Sequence, residues 1–147
     1  NHCHRPAPAR TGHRPGQAAM AFSPSPSGRG DAKKEFAKVK TPWMLMAGTN
    51  DTITFAKTTV ANRLEVFPAL PPGDKYELVL EGGEHFAFSD QTSSLARNQN
   101  PNHHPIILAL STAFWDGHLQ SNLEALAWLK SNGPRTLMGK KDRWQFK

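Results

Sequence analysis

Trp43-Met44-Leu45-Met46-Ala47, closed by Gly48-Thr49-Asn50-Asp51, is the stretch on which the fold turns. The run is apolar throughout rather than alternating, as in a strand covered on both faces within a parallel sheet. Pro42 opens it, and small and polar residues end it in a tight turn. In open α/β sheets ligands bind outside the carboxyl ends of the strands. Asp51 therefore stands where chemistry is expected.

Downstream, Tyr76-Glu77-Leu78-Val79-Leu80 reads as a further strand, followed by Glu81-Gly82-Gly83-Glu84-His85 with a flexible glycine pair. Upstream, Ala18 to Phe22 is a short apolar run that gives way to Ser23-Pro24-Ser25-Pro26-Ser27-Gly28, a strand entering a loop. Asp31 to Val39 reads as a short, lysine-rich helix. A longer helix over Phe55–Leu70 is predicted from Val60, Leu64 and Phe67, with Pro71-Pro72-Gly73 as its stop. Residues 89–105 are polar and read as a surface loop. Ile106, Leu110 and Phe114, with Ile107 and Trp115 beside them, form a helical stripe. Leu123, Leu126, Ala127 and Leu129 continue it as a second helical piece that Gly133-Pro134 ends, and the basic tail Lys140–Lys147 is expected to be peripheral.

Strands alternating with helices predict an α/β fold with a parallel sheet and helices on its faces. Three strands alone would leave an unsupported edge, so the chain is expected to be part of a larger sheet. At 147 residues there is room for one domain.

The net charge of +6 has a definite address. Residues 1–40 hold eight Lys/Arg against Asp31 and Glu35, whereas residues 41–147 hold ten basic and ten acidic side chains. The folded part thus has no charge excess to attract phosphate, and no nucleic-acid partner is expected. No apolar run approaches the ~20 residues of a membrane helix. Cys3 is the only cysteine, which excludes an intrachain disulfide. Residues 1–16 contain no Leu, Ile, Val or aromatic side chain and are predicted to be a disordered or non-native leader, leaving 17–147 as the domain. The chain starts with Asn rather than Met, from which a missing true beginning is expected.

Asp51 and His85 each follow a buried strand, and successive parallel strands deliver both loops to one edge. A carboxylate there accepts a hydrogen bond from imidazole Nδ1–H, which leaves Nε2 available to take a proton from a nucleophile or water. The two are the candidate catalytic residues.

Thr41-Pro42-Trp43-Met44-Leu45-Met46-Ala47-Gly48-Thr49-Asn50-Asp51 and Gly82-Gly83-Glu84-His85-Phe86-Ala87-Phe88 resemble the end of bacterial α/β-hydrolases of the dienelactone-hydrolase-like and acetylhydrolase-like kind. In that fold the acid follows the seventh strand and the histidine the eighth, in the chain order nucleophile, acid, histidine. The resemblance, over residues 17 to 147, implies that Ala18–Phe22 is the sixth strand and that residues 106–130 close the fold. It implies an esterase lineage acting on small-molecule esters without a cofactor. No Gly-x-Ser-x-Gly elbow occurs in the chain. The serines of Ser23-Pro24-Ser25-Pro26-Ser27 are followed by proline or by no elbow, and proline lacks the amide an oxyanion hole needs. Cys3 has no elbow around it either. Nucleophile and oxyanion hole are therefore expected upstream of Asn1, and the chain alone is expected to be inactive.

Plainer roles compete at each position. Asp51 suits turn chemistry by itself, and His85 suits a core or surface histidine. Asp31 is a minor candidate for the acid after the sixth strand, and Glu84 and Asp90 read as surface charges. His2-Cys3-His4 and His103-His104 lack the spaced pairs of a structural zinc site. Phe114, Trp115 and Trp128 read as core. A non-catalytic binding or interaction domain on the same scaffold is the alternative to an enzyme.

Overall fold

The computed structural model describes residues 17–53, 56–89 and 99–147. The expected disorder of 1–16 and the surface charge of Asp90 lie outside the described residues, as do His2, Cys3 and His4. Four strands form one sheet in the order β1 (Ala19–Phe22), β2 (Trp43–Asn50), β3 (Lys75–Glu84), β4 (Arg143–Phe146). The first three run parallel, with Met44 beside Met20 and Tyr76, while β4 lies antiparallel to β3. The α/β architecture read from the apolar runs is present, with a longer β2 and β3 than expected.

The sheet is covered on both faces. Met44, Met46, Tyr76, Leu78 and Leu80 face the long helix α4 (His103–Gln120), where Ile106, Leu110 and Phe114 are buried against them. Leu45, one residue out of phase, packs on the other face against Val66, Phe67 and Leu70. Alternate side chains of β2 thus serve two cores, which is why its sequence is apolar without alternation.

Several elements differ from the sequence expectation. The helix expected over 55–70 is two short ones, α2 (Val60–Leu64) and α3 (Val66–Ala69). Thr59 starts the first, its side chain accepting from the Asn62 amide while Asn62 answers at the Thr59 backbone. The break follows from Pro68, which has no N–H to give the carbonyl of Leu64. α1 (Ala32–Phe36) is short and capped by Asp31. α4 begins at His103, inside the segment read as loop, and ends at Ser121 in the left-handed conformation. Asn122 then caps α5 (Leu123–Leu129). Gly133-Pro134 does not merely end a helix: with Pro in its first turn it opens α6 (Gly133–Thr136). The tail is not peripheral, since β4 pairs with β3, Gln145 donates to Glu77 at 2.7 Å, and Lys147 exchanges backbone bonds with Lys75. It covers the edge of β3 that three strands would have left open.

Candidate active site

The carboxyl ends of β2 and β3 are joined by a bulge. Gly48 stands opposite Leu80 and Asn50 opposite Glu84, so Thr49 faces three residues of β3. Gly82 takes the positive φ that this geometry needs and donates its amide to Thr49 Oγ1 at 2.7 Å. Gly48 and Gly83 meet backbone to backbone: a Cβ on Gly48 would fall 2.0 Å from the Gly83 carbonyl oxygen. The glycine pair read as a flexible turn is therefore a fixed part of the strand. Its effect is to set Asp51, the residue after β2, beside His85, the first residue of a 3-10 turn over His85–Phe88.

The two candidate residues are in contact. His85 Nδ1 lies 3.0 Å from Asp51 Oδ1. A carboxylate only accepts, so this contact assigns the ring proton to Nδ1. The Asp51 side chain is fully buried, whereas that of His85 is 34% exposed. No described residue bonds Nε2 of His85, which is the nitrogen a base would use.

Two further residues complete the cluster. Arg63, on α2 and buried, places Nε 2.8 Å from Asp51 Oδ1 and donates to the Asp51 carbonyl at 2.9 Å. Its Nη1 donates to the Ser23 carbonyl, and Nη2 lies 3.5 Å from His85 Nδ1. Ser23, just past β1 with a positive φ, donates its hydroxyl to Asp51 Oδ2 at 2.5 Å. Arg63 carries no signal in the sequence; it looks like any polar face of a short helix until three distant partners are brought to it. Ser23 stands out in sequence only as one of several prolyl-flanked serines, and its contact is with the acid rather than the histidine.

The other candidates lie elsewhere. Asp31 caps α1 on an exposed surface. Glu84 ends β3, half-buried. His103 is buried at the start of α4, with His104 exposed beside it. Among the described residues no group of three or more His, Cys, Asp or Glu side chains is arranged to hold a metal ion, and no helix is long and apolar enough to cross a membrane. Phe114 is core, with Trp115 and Trp128 packed against it at the margin. Past His85, Ala87 and Phe88 join Pro105, Ile107 and Leu108 in lining an open, mostly apolar groove of about 590 Å³.

Buried acid, half-exposed imidazole and strand-end placement together define an acid–histidine pair on an α/β sheet. No protein-family model and no curated protein matches the sequence.

Proposed function

We propose that this chain is the C-terminal part of an α/β-hydrolase fold and carries the acid and the histidine of a serine-hydrolase triad for carboxylic esters or similar acyl substrates. The observation that carries the proposal is the 3.0 Å contact between His85 Nδ1 and Asp51 Oδ1 at the carboxyl ends of neighbouring parallel strands. The resemblance of the two strand-end motifs to bacterial dienelactone-hydrolase-like and acetylhydrolase-like enzymes supports the same reading.

In this scheme Nε2 of His85 removes the proton from a hydroxyl nucleophile as it attacks the ester carbonyl, and Asp51 stabilises the imidazolium that forms. The imidazolium returns the proton to the departing alkoxide, and water then releases the acyl group by the same steps. The groove beginning at Ala87 and Phe88 offers apolar surface for an acyl chain. The nucleophile comes from a segment outside this chain, because no nucleophile elbow occurs within it. Ser23 is not that nucleophile, since its hydroxyl is engaged by Asp51.

The missing elbow also favours a second reading, a non-catalytic binding domain on the same scaffold. Hydrolysis of a short-chain nitrophenyl ester separates the two. The purified chain is expected to show none, and joining it to a segment bearing a Gly-x-Ser-x-Gly elbow is expected to yield turnover that His85→Ala abolishes. Turnover by the chain alone, or turnover indifferent to His85, contradicts the proposal.

A further inference from the structure

We infer that Arg63 is a positioning residue of the acid–histidine pair, acting on His85 through Asp51; the inference rests on the function proposed above. A carboxylate with no exposed surface is costly unless charge and hydrogen bonds compensate it. His85, a third exposed and neutral when it acts as a base, does not supply that charge. Arg63 does, because a guanidinium keeps its charge at any working pH and offers donors in a fixed fork. Nε engages both the Oδ1 and the backbone oxygen of Asp51, and Nη1 engages the Ser23 carbonyl.

Three residues divide the Asp51 carboxylate between them. Oδ2 is held by the Ser23 hydroxyl at 2.5 Å, and Oδ1 is shared by Arg63 Nε at 2.8 Å and His85 Nδ1 at 3.0 Å. Turning the carboxylate away from His85 breaks the hydrogen bond from Ser23 and the ion pair with Arg63, while Arg63 keeps its hydrogen bond to the Asp51 backbone carbonyl. Oδ1 therefore stays aimed at the ring. A neutral imidazole in water carries its proton mainly on Nε2, the wrong nitrogen for a base that must act from Nε2. Asp51 reverses this preference by accepting from Nδ1–H, provided that it is held as an oriented anion. Arg63 and Ser23 hold it. With the proton on Nδ1, Arg63 Nη2 and His85 Nδ1 are two donors 3.5 Å apart, so their contact is not a hydrogen bond.

The test reads the tautomer of His85 from the side-chain nitrogen-15 chemical shifts of the isolated chain, at a pH where imidazoles are neutral. The wild type is expected to carry the proton on Nδ1. Arg63→Met is expected to move it predominantly to Nε2 while circular dichroism remains unchanged, and Arg63→Lys, which keeps the charge without the fork, to give a mixture. If Arg63→Met does not fold, Arg63→Lys and Ser23→Ala provide the same readout. A wild-type Nδ1–H ring that no Arg63 substitution disturbs overturns the inference and leaves the proposed function standing. A wild-type ring with its proton on Nε2 overturns both, because the acid–histidine pair would not exist.

Discussion

The two ends of the sheet use the same kinds of residue to opposite effect. At the carboxyl ends of the parallel strands, Asp51 is buried and His85 is partly open, with its Nε2 unbonded by any described residue. At the amino ends, His118 is 5% exposed, with Nε2 3.3 Å from the Tyr76 hydroxyl and its ring packed against Phe114 and Tyr76. Burial, with help from neighbouring Asp74, pushes the Tyr76 hydroxyl far above the ordinary tyrosine range. Asp74 in turn meets Lys130 at 2.8 Å at the surface. One end encloses its imidazole in aromatic side chains; the other props a partly exposed imidazole on a buried anion. A histidine at the end of a strand is thus no sign of chemistry by itself. The two differ in what the ring nitrogens meet: a buried carboxylate at His85 and a tyrosine hydroxyl at His118.

The most damaging way to break this contrast is Gly48→Ala. The added methyl would collide with the Gly83 backbone, which cannot yield as a side chain could. The expected cost is about 3 kcal/mol or more, read as a lowered midpoint in urea, together with separation of Asp51 from His85. A loss below about 1 kcal/mol would mean that the two strands do not approach so closely.

A smaller effect separates the two imidazoles directly. His118→Ala removes a ring from the core and one of the partners of the Tyr76 hydroxyl, with Asp74 remaining, for an expected loss of about 2 kcal/mol. His85→Ala removes a partly exposed ring and one of three partners of the buried Asp51 carboxylate, and is expected to cost about 1 kcal/mol or less because Ser23 and Arg63 still hold it. Equal losses in thermal unfolding would erase the distinction between the ends.

The smallest effect is one of pH. Burial lowers His103 below its ordinary value, against the opposing pull of Asp142 and of a backbone hydrogen bond with Glu81. Between 6.5 and that lower folded value the unfolded chain binds the proton and the folded chain does not, so stability falls as pH falls through this window. His103→Asn is expected to flatten the decline in denaturation curves taken across the window. An unchanged slope would assign the decline to other groups.

Much of the scaffold is legible in the sequence, and physical reasons separate what is from what is not. Trp43–Ala47 and Tyr76–Leu80 announce themselves because strands buried on both faces need unbroken apolar runs. The contact of Asp51 with His85 is legible because successive parallel strands deliver their following loops to one edge of the sheet. The edge strand Arg143–Phe146 is not, since a short strand at the rim tolerates polar side chains and looks like a tail. Gly82-Gly83 is legible as an irregularity but not as a bulge, because Gly83 is needed where it meets Gly48 of another strand and Gly82 where the backbone takes a positive φ. Arg63 is least legible of all, as its burial depends on Ser23, Asp51 and His85 arriving from three separate segments.

The most direct measurement is the rate at which diethyl pyrocarbonate acylates each histidine, mapped by mass spectrometry. The reagent attacks an accessible, unprotonated ring nitrogen. His85 is expected to react ahead of His118 and His103, and Asp51→Asn is expected to slow His85 alone. A His118 that reacts as fast as His85, or a His85 rate that ignores the loss of the Asp51 charge, would contradict a carboxylate-supported base at the carboxyl ends of the sheet.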